Sequence, residues 1–143
     1  FTIQCYKDCK LIDSDKNGIQ MTTKIESFLS TQINECFTNP KFDELPITTI
    51  SRIIEKSERK IIDQNLLIYF ILKSVKTHFI LFRFVELQNL RDDKFDEFLS
   101  FIDSQQENQI GMYLQYLPFC LPFFKKVKDK YKSINNEEHK KIS

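Results

Sequence analysis

Tryptophan is absent from the 143 residues, and glycine and proline are scarce, at two and four. So few of the latter two exclude collagen-like and Gly/Pro-rich disordered chains. They also leave few places for tight turns, which suits helices joined by short connections. Long hydrophobic runs are missing too. The densest apolar stretch, residues 79–87, is interrupted by Arg83 and Glu86, well short of the ~20 apolar residues a membrane-spanning helix needs. No secretory leader is expected from these residues, and the reading is a cytoplasmic protein, not a membrane one. A surplus of one charge is lacking as well. With 21 basic and 20 acidic side chains the net charge is +1, which argues against a general affinity for nucleic acid. Cysteine occurs four times, as Cys5, Cys9, Cys36 and Cys120, in no disulfide-scaffold spacing. Cys36 and Cys120 lie in apolar helical contexts and are expected as buried free thiols in a reducing compartment.

Phenylalanine is what the chain has in excess, 14 residues beside five Tyr. A Phe-rich core is implied, each buried ring contributing about 1.5–3 kcal/mol. Hydrophobic residues at 41% against 29% charged give the balance of a folded chain of single-domain size. A chain that opens on Phe1 rather than Met is expected to be part of a longer protein, with an upstream domain.

The pattern along the chain predicts an all-α fold, a bundle of six to seven short helices packed as antiparallel pairs. Residues 1–20 are expected as a short extended arm or the remnant of an upstream domain, 21–132 as the helical domain and 133–143 as a polar tail. Residues 13–18 read as a polar turn. Thr22 or Thr23 is expected to cap a first helix whose face is Ile25, Phe28, Leu29, Ile33, Cys36 and Phe37, ended by Asn39-Pro40. A second helix follows Leu45-Pro46. Its Ile47, Ile50, Ile53 and Ile54 have the spacing of one buried face, and proline suits a first turn because its missing N–H would have no partner there. Asp63 is expected to cap a third helix with face Leu66, Leu67, Phe70, Ile71 and Val75. Thr77 is expected to cap a short fourth helix over 79–87, and Asp92 or Asp93 a fifth with Phe95, Phe98, Leu99 and Ile102 inward. A sixth is predicted near 107–116. After Pro118 and Pro122 a last one carries Phe123, Phe124, Val127 and Tyr131.

This order of signals resembles the BACK domain, the helical module that follows a BTB domain. The resemblance runs through an aromatic-bearing helix at 28–37, an aromatic-x-x-Leu-Pro helix at 42–54 and a loop with Ser57. It continues with a helix behind an acidic residue at 63–71, an apolar stretch at 81–90 and a further helix at 95–102. The Trp often found late in the third helix of that family is missing here, with Leu72 and Val75 nearby instead. The F-box also opens on Leu-Pro and a short helix, but it is smaller and leaves most of the helices unexplained. The BACK resemblance implies no active site. It implies a spacer and scaffold beside a dimerising BTB domain, so a homodimer through the upstream part, within a cytoskeletal or ubiquitin-ligase type of assembly.

The chemistry-bearing residues form few constellations. Asp13, Asp15, Asn17 and Gly18 match the first half of an EF-hand loop, but its twelfth position, where a bidentate Glu belongs, holds Lys24. A polar turn binding no calcium at micromolar levels is the expectation; a calcium-responsive protein with a degenerate loop at 13–24 is the alternative. Cys5, Cys9, His78 and His139 lack the paired spacing of structural zinc, and His78 is expected to cap or to lie at the surface. The chain has no Gly-rich phosphate loop. Acid pairs at 92–93 and 96–97 suit a helix start, where they complement the dipole. No catalytic residue, metal or cofactor is therefore expected, and the protein is read as non-enzymatic. Lys125, Lys126, Lys128, Lys130 and Lys132 give the segment from Pro118 onward a net charge of +4, seven Lys against Asp129, Glu137 and Glu138. They suit a solvated face or an acidic partner. Ahead of them, apolar residues crowd a Pro-interrupted segment. Tyr116, Phe119, Leu121, Phe123 and Phe124, with Lys125 and Lys126, are the expected protein interface; closing the core is the competing role for the rings.

Overall fold

The computed structural model describes Ile3 and residues 16–118, of residues 16–21 the backbone only. Among them are eight α-helices, three short 3-10 segments and no strand, so the fold is all-α. The chain divides into two compact units, Phe1–Phe70 and Ile71–Ser143. No single described helix is long and apolar enough to span a membrane; Gln64–Lys73 and Val75–Phe84 reach that length and apolarity only jointly, across a break at Ser74.

The first unit contains α1 (Lys16–Thr31), α2 (Ile33–Phe37), α3 (Pro40–Asp43), α4 (Ile47–Lys56), a 3-10 turn at Arg59–Ile61 and the start of α5 (Gln64–Lys73). Helix α1 begins at Lys16, earlier than the caps expected at Thr22 or Thr23, so residues 16–18 are helical rather than turn. Thr22 is instead buried on the face of α1 that packs along α4, and tertiary packing has overridden the Thr signal. The expected arm, apart from Ile3 and the helical residues 16–20, lies outside the described residues.

The continuous helix predicted through Phe37 is broken at Gln32. Ser30 Oγ and Thr31 Oγ1 donate to the carbonyls of Ser27 and Phe28, both at 2.6 Å. Such back-bonding competes with the helical ladder, and Gln32 N–H reaches Leu29 O in a tightened turn. The break re-aims the chain. Leu29, Ile33, Cys36 and Phe37 are buried as expected, but Phe28 points outward at 52% exposure and Ile25 is half-buried.

The Leu-Pro junction starts a helix as expected, although Pro46 stands just before the first turn and Ile47 is only half-buried. Pro46 is the N-cap of α4, and its carbonyl accepts from the Thr49 and Ile50 N–H groups, both at 3.0 Å. Ile50, Ile53 and Ile54 are fully buried. Asp63 caps α5, its Oδ1 accepting from Asn65 N–H at 2.9 Å and Leu66 N–H at 3.3 Å. One side chain fixes the preceding 3-10 turn: Asn34 donates to Ile61 O and accepts from Asp63 N–H, both at 2.7 Å. The rings of Phe37, Phe42 and Phe70 meet at centroid distances of 5.3–6.3 Å and fill the core of this unit.

In the second unit α6 (Val75–His78) runs into a 3-10 segment (Phe79–Phe84), followed by a 3-10 turn at Leu87–Asn89, α7 (Asp92–Ser104) and α8 (Glu107–Leu114). Thr77 is not a cap. It lies inside α6, where Ser74 is the N-cap, and its Oγ1 donates back to Ser74 O at 3.1 Å. His78 is not at the surface: it is 4% exposed, because this earlier start turns it to the side of Leu81 and Phe82, three and four residues on. In the 3-10 segment Leu81, Phe82 and Phe84 are buried, and the Arg83 guanidinium covers the Phe84 ring at 4.6 Å. Helix α7 buries Phe95, Phe98, Leu99 and Ile102 as expected. Its N-cap is Arg91, with no side-chain cap; Asp92 and Asp93 fall inside the first turn, where carboxylates complement the positive end of the dipole without capping it.

Candidate protein-interaction surface

Helix α8 and the turn after it form the end of the described chain, and their geometry begins with stacking rings. Phe98 is fully buried on α7, and its ring lies 6.0 Å from that of Phe82, edge to face. Phe82 is 6.4 Å from Phe101, and Phe101 is 5.9 Å from Tyr113. Tyr113 is 5.5 Å from Phe79, and Phe79 is 5.7 Å from Tyr116. Six rings thus run from the interior of the second unit to its surface. Pairs of this kind contribute about 0.5–1.5 kcal/mol each beyond their buried area, so the ladder fixes where Tyr116 stands. Tyr116 is 38% exposed and Met112, one turn before it, 43%. Tyr116 is the one interface residue expected from the sequence that the structure describes. Phe119, Leu121, Phe123, Phe124, Lys125 and Lys126 lie outside the described residues, as do the last helix and the tail.

A second feature escaped the sequence reading. Asn108, Gly111 and Met112 on α8, and Gln115 and Tyr116 in the turn that follows it, are all exposed. The signal was present in the sequence as an absence: residues 108–124 carry no charged side chain in a chain that is 29% charged.

The other sites considered from the sequence come out differently. Residues 16–24 of the EF-hand-like stretch are helical, while Asp13 and Asp15 lie outside the described residues. Cys5, Cys9, Cys120 and His139 lie outside them too. Among the described residues no group of three or more His, Cys, Asp or Glu side chains is gathered as metal ligands. Cys36 is a buried free thiol, held by a contact to Leu29 O at 3.7 Å. Burial, with the Glu35 charge adding to it, pushes its pKa up to about 11, so at neutral pH it is a protonated, unreactive thiol. It forms part of the wall of a groove of about 270 Å³, with Ile3, Phe28, Leu29, Gln32, Glu35 and Asn39.

The first unit also holds a buried carboxylate that hydrophobic periodicity could not reveal. Glu26 is 5% exposed on α1. Arg52 on α4 grips it with two nitrogens, Nε to Oε1 at 3.1 Å and Nη2 to Oε2 at 3.4 Å, and Lys56 Nζ stands 3.8 Å from Oε1. Arg52 Nη2 also donates to Thr49 Oγ1 at 3.3 Å. Ser57 Oγ, at the end of α4, lies 2.9 Å from Ser30 O on α1. This polar seam binds α1 to α4.

Compared with family models, curated proteins and solved structures, the chain matches none.

Proposed function

We propose that this protein is a non-enzymatic interaction and scaffold module, BACK-like in organisation, that binds other proteins through the surface opened by Tyr116. The observation that carries this reading is the ring ladder. Rings packed from Phe98 outward fix Tyr116 at the surface, and the sequence then continues into Phe119, Leu121, Phe123 and Phe124. An aromatic side chain packed against its neighbours has less freedom to lose on binding, and Tyr and Met are enriched in protein interfaces. The order of elements supports the BACK-like reading: an aromatic-bearing helix, a Leu-Pro helix whose Ile face is buried, Ser57 in the following turn, an Asp-capped helix, then an apolar stretch and a further amphipathic helix. Partners of this kind belong to cytoskeletal or ubiquitin-ligase assemblies in the cytoplasm.

Phe119→Asp and Phe124→Asp test the interface. Loss of co-purifying partner with an unchanged melting temperature supports it. A chain that no longer folds assigns the rings to the core, and retained binding with retained stability refutes both roles.

A further inference from the structure

We infer that Ser104, at the joint between α7 and α8, is a phosphorylation site for a Ser/Thr protein kinase that reads an acidic residue three positions after its target, and that the added charge loosens the last turn of α7. Neither the site nor its effect depends on the interaction reading. The sequence offers three hydroxyls with this spacing, and the structure eliminates two.

An acid three residues after a Ser or Thr occurs at Thr23, Ser100 and Ser104, through Glu26, Asp103 and Glu107. An enzyme that reads flanking side chains takes its substrate as an extended segment, with those side chains free to enter pockets. Thr23 fails. It lies inside α1, and its acid, Glu26, is 5% exposed and gripped by Arg52 and Lys56. Ser100 fails too. It lies inside α7, and extending that segment would pull Leu99 and Ile102 out of the core. Ser104 meets both requirements. It is the last residue of α7 and is exposed, and Gln105 and Gln106 after it are extended, at ψ 151° and 150°. Glu107, the acid to be read, is exposed, and so is Asp103 on the other side.

In the unmodified chain Ser104 Oγ donates to Phe101 O at 2.7 Å and accepts from Gln105 Nε2 at 3.1 Å. Transfer of the γ-phosphoryl group of ATP forms a bond from Ser104 Oγ to phosphorus and breaks the bond from that phosphorus to the β–γ bridging oxygen. ADP leaves, and the hydroxyl proton passes to the catalytic base of the kinase and on to solvent. The hydroxyl donor is gone, and about 1.5–2 negative charges take its place. They stand at the negative end of the α7 dipole, beside Asp103, on a helix whose exposed residues are all Asp, Glu or Ser. Dipole and neighbours both oppose them. The favourable positive end of α8 begins only at Glu107, whereas Ser104 belongs to the last turn of α7 itself. That turn carries Phe101, whose ring stands between those of Phe82 and Tyr113.

The test incubates the full folded chain with ATP and an acid-directed Ser/Thr kinase of the casein kinase type. Incorporation is followed by intact mass and mapped by tandem mass spectrometry. One phosphate on Ser104 is expected. Ser104→Ala should abolish incorporation, Glu107→Gln should slow it about tenfold, and Ser100→Ala and Thr23→Ala should leave it unchanged. No incorporation, phosphate on Thr23 or Ser100 of the folded chain, or an unchanged rate in Glu107→Gln would each overturn the assignment. The phosphorylated chain should also melt below Ser104→Ala, which loses the same hydrogen bond without gaining charge. That gap should narrow as salt rises from about 0.05 to 0.5 M. A phosphorylated chain that melts with the unmodified one, or above it, overturns the loosening of α7.

Discussion

The two units bury different things. In Phe1–Phe70 the interior includes Thr22, Glu26, Ser30, Thr49, Ser51, Ser57 and Gln64 beside its Ile and Phe residues; in the described part of Ile71–Ser143 the one buried polar side chain is His78. The first unit is registered by directional bonds. Arg52 on Glu26, Ser57 on Ser30 and Asn34 on the 61–63 backbone each have one geometry that satisfies them, and a slipped helix would strand them unpaired. The second unit is organised by rings and a six-residue 3-10 segment, with Phe79, Phe82, Phe101 and Tyr113 in a continuous stack. Ring contacts tolerate rearrangement better than a buried carboxylate does. The difference teaches where each kind of residue is useful: polar locks fix a scaffold, and stacked aromatics carry a rigid path outward to a surface.

The largest test treats the units alike. Phe42→Ala in the first and Phe82→Ala in the second, both fully buried, should each cost about 3–5 kcal/mol in urea unfolding, and Ile50→Ala or Ile54→Ala about 2–5. A much smaller loss at Phe82 alone would mean that the ring-built unit collapses around the cavity and that the contrast is sharper than drawn.

Second in size is a pH effect confined to the first unit. The Cys36 thiol is raised from an ordinary 9.0 to about 11 by burial, then by Glu35. The folded state thus holds its proton more tightly than the unfolded state does. The contribution is fully present below about pH 9 and is lost as pH rises through 11, amounting at most to ~3 kcal/mol. Cys36→Ala is expected to lose less stability than the native chain between pH 9 and 11. Parallel pH profiles would show that the thiol is not held in a dry core.

The polar seam gives a third comparison. Glu26→Gln removes a buried charge from two cations, but Arg52 is 47% exposed and solvent screens the loss, so about 1–2 kcal/mol is expected. Glu97→Gln, at the i, i+3 pair with Lys94 in the second unit where Glu97 itself is 54% exposed, should stay within about 0.5 kcal/mol. Equal effects would erase the distinction between the units. Asp63→Ala should cost about 1 kcal/mol through the lost cap of α5. Gly111→Ala should stabilise the second unit by about 0.5–1 kcal/mol, since its Cβ meets open space; a loss there would place a hidden constraint on α8.

Much of the fold was legible before any coordinates. The Ile spacing after Leu45-Pro46, the Asp63 cap, the inward face of α7 and the buried Cys36 thiol follow from periodicity and capping, which act over three or four residues. Of the candidate site, the structure describes Tyr116 alone, exposed after α8; the rings that follow it in the sequence lie outside the described residues. What was misread depended on competition between neighbours. Thr22 and Thr23 look like caps, yet α1 continues past them because Thr22 packs inward. Ser30 and Thr31 look helical, yet their hydroxyls break the helix at Gln32. Thr77 gave way to Ser74, and His78 turned inward with that shift.

By itself, then, the sequence determined the all-α class, the apolar faces and the charge-poor stretch ahead of the lysines, because local hydrogen bonding and hydrophobic periodicity are properties of adjacent residues. Only the tertiary structure decided that Phe28 faces out, that Glu26 is buried beneath Arg52 and Lys56, and that six rings link Phe98 to Tyr116. Those outcomes depend on which distant side chains meet. A carboxylate is buried only where a cation on another helix arrives to pair with it, and no spacing within a single helix specifies that meeting.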